Sequence, residues 1–292
     1  LFPESEGTIA GQTGRHVDLL GGMLASSSEW KELPDTLWTS YAGTPSRQPR
    51  ISFPLDLRSR PAWSRPLARQ STSRDLLGRG HYRVAERADA LLSCHPVAWG
   101  EHCFVHDGEQ VLAYRIQDGT PAWGSEDGVI YTIPVAAGNV RPERVVGVAR
   151  QTITIDGGRL FARMGSGVTA HARDEDLLTA APGLVVGLDL ESEGKVLEGF
   201  PLRTPGDHWA FEGTPVSDGD SLYLLLRYRD EVRSQFHVAC YSIQSGRQRW
   251  RQQVCAAGMP SRGRWQEQSH YLLTLHQGTL FCSPGAGMVA SV

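Results

Sequence analysis

With 292 residues, 40% of them hydrophobic, the chain is long enough for one large β domain or two smaller domains, each with a core of its own. A formal net charge of −3 argues against a dedicated nucleic-acid binder, whose phosphate contacts need a basic surplus. No stretch reaches the roughly 18 apolar residues of a membrane-spanning helix, and no signal peptide is visible.

The first predicted element is a helix in GRHVDLLGGMLASSSEW, where Val17, Leu20 and Leu24 fall on one side and Gly21-Gly22 weakens it. Residues 1–36 read as a linker or the tail of an upstream domain. From Arg47 to Arg87 there are ten arginines against Asp56, Asp75 and Glu86. Because Lys31 and Lys195 are the only lysines, arginine is the general cation of this chain, and the stretch reads as a solvated connector rather than an anion patch. Residues 64–90, beginning SRPLARQSTSRDLLGRG, are its irregular part. The chain opens on Leu1 without an initiator Met and stops at Val292 inside a recurring motif, the pattern of a fragment. Five cysteines without a C-x-x-C pair do not suggest a disulfide framework; Cys103, Cys240 and Cys282 fall in predicted strands, where a free Cys acts as a small buried hydrophobe.

Farther along, four turn signals recur: Trp99-Gly100, Asp156-Gly157, Asp218-Gly219 and Gln277-Gly278, their glycines 57, 62 and 59 residues apart. An aromatic residue follows each, Phe104, Phe161 and Tyr223 four positions on and Phe281 three. A second register runs through VLAYRIQDGTPAW (111–123) and VACYSIQSGRQRW (238–250), which share Val, Tyr, Ile, Gln, Gly and Trp at identical offsets, with Gly119 and Trp123 answering to Gly246 and Trp250. Each unit of about sixty residues reads as turn-linked strands bounded by Gly, Asp and Ser. The second unit contains an inserted loop, MGSGVTAHARDEDLLTAAPG, and the fourth lacks its final turn and Trp. About four strands per repeat predict an all-β propeller, each blade burying its faces against its neighbours.

The Gly turn, the aromatic strand and V-x-x-Y-x-I-x-x-G-x-x-x-W together resemble the repeat of the PQQ-like (quinoprotein-like) β-propellers, PQQ being pyrroloquinoline quinone. The resemblance covers roughly Leu37 to Val292. It implies that Gly119 and Gly246 close the turn between the third and fourth strands of a blade, and that Trp123 and Trp250 lie on fourth strands and wedge between blades. Gly194 departs from the pattern by an extra residue, with Phe200 where the aromatic anchor falls. LWTSYAGTPSRQ (37–48) looks like the segment where such propellers begin, which puts Trp63 on a strand completing a terminal blade. Since the family closes rings of seven or eight blades, residues 37–292 are expected to form an incomplete propeller of about four blades, the last truncated.

The functional expectation is a non-catalytic scaffold similar to the family's outer-membrane assembly propellers, with a protein or peptide partner, no nucleic acid, and an envelope or periplasmic setting. The alternative is a PQQ-dependent dehydrogenase, in which a quinone over calcium needs a carboxylate base and oxygen ligands. The resemblance also implies two adjacent cysteines for such an enzyme; none of the five is adjacent to another, and no carboxylate matches a catalytic motif. No catalytic, cofactor-binding or metal residue is therefore assigned. Cys94, His95, His102, Cys103 and His106 crowd into thirteen residues, but on a strand His102 and His106 stand about 13 Å apart at 3.3 Å per residue, too far for one zinc ion. SDGDS (217–221) reads as a hairpin turn rather than a calcium loop. GSG (165–167) lacks a phosphate-loop context. RQRWRQQV and SRGRW, within 247–265, read as blade packing with solvated arginines.

Overall fold

The computed structural model describes residues 4–9, 12–26, 39–44, 61–65, 93–134, 150–165, 183–229, 233–258, 272–283 and 290–292. The chain separates into two units. In the smaller, hairpin β1 (Glu6–Ile9) and β2 (Gln12–Arg15) runs directly into helix α1 (His16–Ser26). The His16 amide donates to the Ser5 carbonyl at 2.9 Å, which pins the helix start to the strand. Leu19 rests against β2 at Gly14, while Val17, expected on the apolar side, is exposed.

Among the described residues the larger unit holds four antiparallel sheets in chain order. Before the first, β3 (Ser93–Cys94) makes a short parallel pair with β8 (Arg150–Gln151). Blade I is β4 (Val97–Trp99), β5 (His102–His106), β6 (Gln110–Arg115) and β7 (Val129–Thr132). Blade II is β9 (Ile153–Asp156), β10 (Arg159–Met164), β11 (Leu184–Asp189) and β12 (Lys195–Val196), with β13 (Leu202–Arg203) also on β11. Blade III is β14 (Trp209–Ser217), β15 (Ser221–Arg229), β16 (Arg233–Ser242) and β17 (Gln248–Gly258). The described strands of blade IV are β18 (Leu273–His276), β19 (Thr279–Cys282) and β20 (Ala290–Ser291). The fold is an all-β, incomplete propeller of four-stranded blades with a shortened last blade. Among the described residues no helix is long and apolar enough to cross a membrane.

Turn chemistry sets the strand breaks. Gly157 and Gly158 both take positive φ, 52° and 72°, as a two-residue hairpin needs. Asp107 accepts the amides of Glu109 and Gln110 at 2.9 and 2.7 Å, and Asp218 accepts that of Ser221 at 3.0 Å, so side chains close the turns where a second glycine is lacking. SDGDS is thus a hairpin turn.

Packing follows from two-sided burial. In β10, Leu160, Ala162 and Met164 join Phe104, Val111 and Ala113 of blade I, whereas Phe161 points the other way into Leu222, Leu224 and Leu226 of blade III. An interior blade is covered on both faces, so LYLLLRY in β15 is a nearly continuous apolar run instead of an alternating one. Val216, Leu225 and Val238 then meet Leu273, Leu280 and Cys282 of blade IV. Phe104, Phe161 and Tyr223 therefore each face the blade that follows; Phe281, in the corresponding place on blade IV, is 39% exposed.

The tryptophans depart from expectation. Trp123 is not on the fourth strand; it occupies a 3₁₀ turn, Ala122–Gly124, at φ 51°, its ring 4.9 Å from His102 and 6.1 Å from Phe104. Trp250 does lie on a fourth strand, β17, but is 38% exposed, its ring 6.1 Å from Tyr223. Among the described residues blade IV has no strand opposite that outer position. Trp63 is on no strand. It lies over Gly119 beside Tyr114, donates Nε1–H to the Ile116 carbonyl at 2.7 Å, and covers the free face of blade I at Val105 and Leu112. The segment holding Ser40 bridges Thr154, adding to the inner edge of blade II. The 64–90 connector, the inserted loop and SRGRW fall almost wholly outside the described residues.

Candidate binding groove

The inner strands of blades II and III are laced by side chains. Thr152 and Thr214 hydroxyls meet at 2.7 Å, Thr154 donates to the Pro215 carbonyl at 2.6 Å, and Ser217 donates to Asp156 at 2.6 Å. Blade I joins through His106, whose Nε2 lies 3.1 Å from the Thr152 carbonyl. These bonds hold the hairpin turns of the two blades side by side at one end of the sheets.

At that end lies a groove of about 440 Å³ lined by Arg159, Asp220, Ile243, Gln244 and Arg249. Arg159 follows the Gly157-Gly158 turn of blade II and reaches across to blade III, where its Nη2 donates to the Gly219 carbonyl at 2.7 Å. Among the described residues its Nε is buried without a partner. Arg249 enters from the outer strand because β17 bulges there: Cys240 pairs with Trp250 and Tyr241 with Gln248, leaving Arg249 as the extra residue. A bulge re-aims the inserted side chain, and Arg249 Nη1 donates to Ser221 Oγ at 2.7 Å. Ile243 and Gln244 come from the β16–β17 turn, which is locked in place by Gly246 (φ 65°): a Cβ there would run into the Gly199 carbonyl of blade II.

The surrounding carboxylates are spoken for. Asp218 accepts a hydrogen bond from the Tyr223 hydroxyl at 2.7 Å, and burial, then this bond, push the Tyr223 pKa up to about 12. Asp189 accepts from Ser192 Oγ and from the amides of Glu191 and Ser192, and the Ser192 hydroxyl bond foremost holds its carboxyl below the usual range. Among the described residues neither Arg159 nor Arg249 has a carboxylate within ion-pair distance. The lining itself sets two guanidiniums against the single carboxylate of Asp220, and Asp189 beyond it also feels the Arg159 charge.

The repeat residues frame this end without entering the groove lining. Gly100, Gly157, Gly219 and Gly278 stand in turns between first and second strands, and Gly119 and Gly246 between third and fourth, all at positive φ. Arg159 carries no sequence signal, and Arg249, within the RQRWRQQV stretch read as solvated arginines, lines the groove instead. The signal that would have found Arg249 is the one extra residue between the two Tyr241-side and Cys240-side pairings, which the sequence does not display.

A second polar cluster lies on the inner strands. Arg227 and Glu212 form a buried ion pair at 2.7 Å, their side chains 5% and 10% exposed, beside the bulge between Glu212 and Val216. Arg163 approaches from blade II, donating weakly to the Phe211 carbonyl at 3.4 Å. Burial, first, lowers the Arg163 pKa, while Glu212 opposes and Arg227 adds to the shift. Glu212 thus acts on two guanidiniums, and Asp156 accepts from the Ser217 hydroxyl. The five residues from Cys94 to His106 do not share one element. Cys94 is on β3, His102, Cys103 and His106 are on β5, and burial raises the Cys94 thiol to about 11. Cys94, Cys103, Cys240, Cys255 and Cys282 are all free thiols.

No protein-family model matches the chain, and no curated protein does. Among solved structures it is similar to BamB from Moraxella catarrhalis, at 13% identity over 67% of this chain and 70% of that one, with a TM-score of 0.28.

Proposed function

We propose that this chain is a non-catalytic binding scaffold that receives a protein or peptide partner at the groove between blades II and III, in a cell-envelope setting. The envelope setting follows only from the repeat resemblance. The observation supporting the groove is that two arginines from different blades, one of them placed by a β-bulge, converge on one hairpin and retain free donors. Strand addition is a poorer mode for this chain. Its longest outer strand, β17, carries two bulges and the exposed Arg249 and Arg251, which are the usual devices against edge pairing.

A photo-crosslinking residue at Gln244, exposed on the groove rim, tests the reading in the host cell. Thr120, exposed on blade I, serves as the control position. A discrete protein adduct at Gln244 and none at Thr120 is the expected result. Absence of a Gln244 adduct, or the same adducts at both positions, overturns the groove as the binding site.

A further inference from the structure

We infer that the groove recognises a single carboxylate, presented by an acidic side chain of an extended peptide; this rests on the groove being the binding site. Each guanidinium offers five N–H donors in a planar fork, and the bonds described engage one donor of Arg159 and one of Arg249. Both anchors, the Gly219 carbonyl and the Ser221 hydroxyl, are neutral, so they orient the cations without cancelling their charge. Both also belong to the same hairpin and flank Asp220, which brings the two forks to one place.

The buried Nε of Arg159 is a donor removed from water with no acceptor, and such a group gains most from an incoming anion. Charge decides which anion. Two arginines face Asp220 in the lining, and Asp189 outside it also acts on the Arg159 charge, so a monoanionic carboxylate suits the site better than a phosphate dianion, whose second charge Asp220 and Asp189 would repel. Ile243 supplies an apolar wall and Gln244 an amide able to pair with a peptide backbone. The same carboxylate chemistry is available from a small free acid, and the test separates the two sources.

The probes are N-acetylated, C-amidated Ala-Ala-Asp-Ala-Ala, its Asn counterpart, and sodium succinate, each titrated into the full chain while the Arg Nε–H signals are followed by NMR. Binding of the Asp peptide at least ~10-fold tighter than the Asn peptide, with a shift of the Arg159 Nε–H signal and at least ~10-fold loss in Arg249→Gln, is the expected result. Arg249 is exposed, so the Gln variant is expected to fold, and Arg249→Lys, which keeps charge but not the fork, should recover only part of the affinity. Succinate binding with the same arginine dependence, in the absence of peptide binding, overturns the peptide assignment in favour of a small acid. Equal binding of both peptides, unchanged in Arg249→Gln, overturns carboxylate recognition and leaves the groove reading standing. Failure of all three probes overturns the inference, and the Gln244 adduct then decides the groove separately.

Discussion

Replacing His106 by glutamine should flatten the acid side of the chain's stability curve. His106 is 1% exposed on β5. Because Nε2 faces a carbonyl, it carries the proton and donates to Thr152, which leaves Nδ1 as a buried lone pair without a partner. Burial foremost holds the imidazole pKa down to about 3; the Thr152 bond pulls the other way and the Arg163 charge lowers it further. In the unfolded chain the value is about 6.5. The folded pKa is the lower, so on acidification the unfolded chain takes up the proton first. Stability is therefore lost as pH falls from about 6.5 towards 3, at ~1.4 kcal/mol per pH unit. Between pH 7 and pH 5 the loss is roughly 2 kcal/mol. Glutamine keeps an amide N–H for Thr152 and does not titrate. Urea denaturation followed by tryptophan fluorescence at the two pH values should show wild type losing about 2 kcal/mol more than His106→Gln. His102 and His237, also lowered by burial, are present in both proteins and cancel. A difference under ~0.5 kcal/mol, or a larger loss in the variant, refutes a neutral buried imidazole.

Gly246→Ala meets both a positive φ and the Gly199 carbonyl, whereas Gly219→Ala meets only the φ, with open space around its Cβ; thermal melts should show a loss of about 2–4 kcal/mol for the first and about 1 for the second. Glu212→Ala strips the carboxylate from Arg227 and Arg163 and should cost about 3–5 kcal/mol, while Glu212→Met with Arg227→Met should recover most of it in the same denaturation assay. Phe161→Ala opens a void between blades II and III and should cost about 3–5 kcal/mol, against under about 1 for Trp250→Ala at its exposed position. Equal losses for Phe161 and Trp250 would restore the wedge expected of that tryptophan.

The architecture was legible because its physical causes are local and periodic. The Gly157-Gly158 and Asp218-Gly219 turns, and the aromatic residue that follows each, are short-range features repeated at nearly constant intervals, and the sheets formed where those signals place them. What the repeat could not convey is neighbourhood. Trp123 and Trp250 occupy the same position of a thirteen-residue motif, yet one stacks on His102 and Phe104 from a 3₁₀ turn and the other is 38% exposed on a strand. The difference lies in the backbone each indole sits on, a 3₁₀ turn against a bulged strand, which no residue of the motif encodes. For Trp63, the strand that the repeat resemblance implies fails for the same reason. Its place over Gly119 depends on a contact between residues more than fifty positions apart, and it is the missing Cβ of Gly119 that lets the indole settle there.

The groove was illegible for a sharper reason. Arg249 sits in RQRWRQQV among arginines that alternate across a strand, and strict alternation would send it and Arg251 to the same face. The bulge breaks that parity: Arg251 turns to the Trp209 ring, 4.3 Å away, while Arg249 turns to Ser221. A one-residue slip reverses every side chain beyond it, so one unpaired residue separates a solvated surface arginine from a groove-lining one. The partner arginine arrives from another blade, where Arg159 reads as an ordinary residue after a glycine turn. Sequence periodicity identifies the sheets, but the site depends on a local departure from that periodicity, brought against a neighbouring blade by the Thr152–Thr214 and Ser217–Asp156 bonds that hold the two hairpins together.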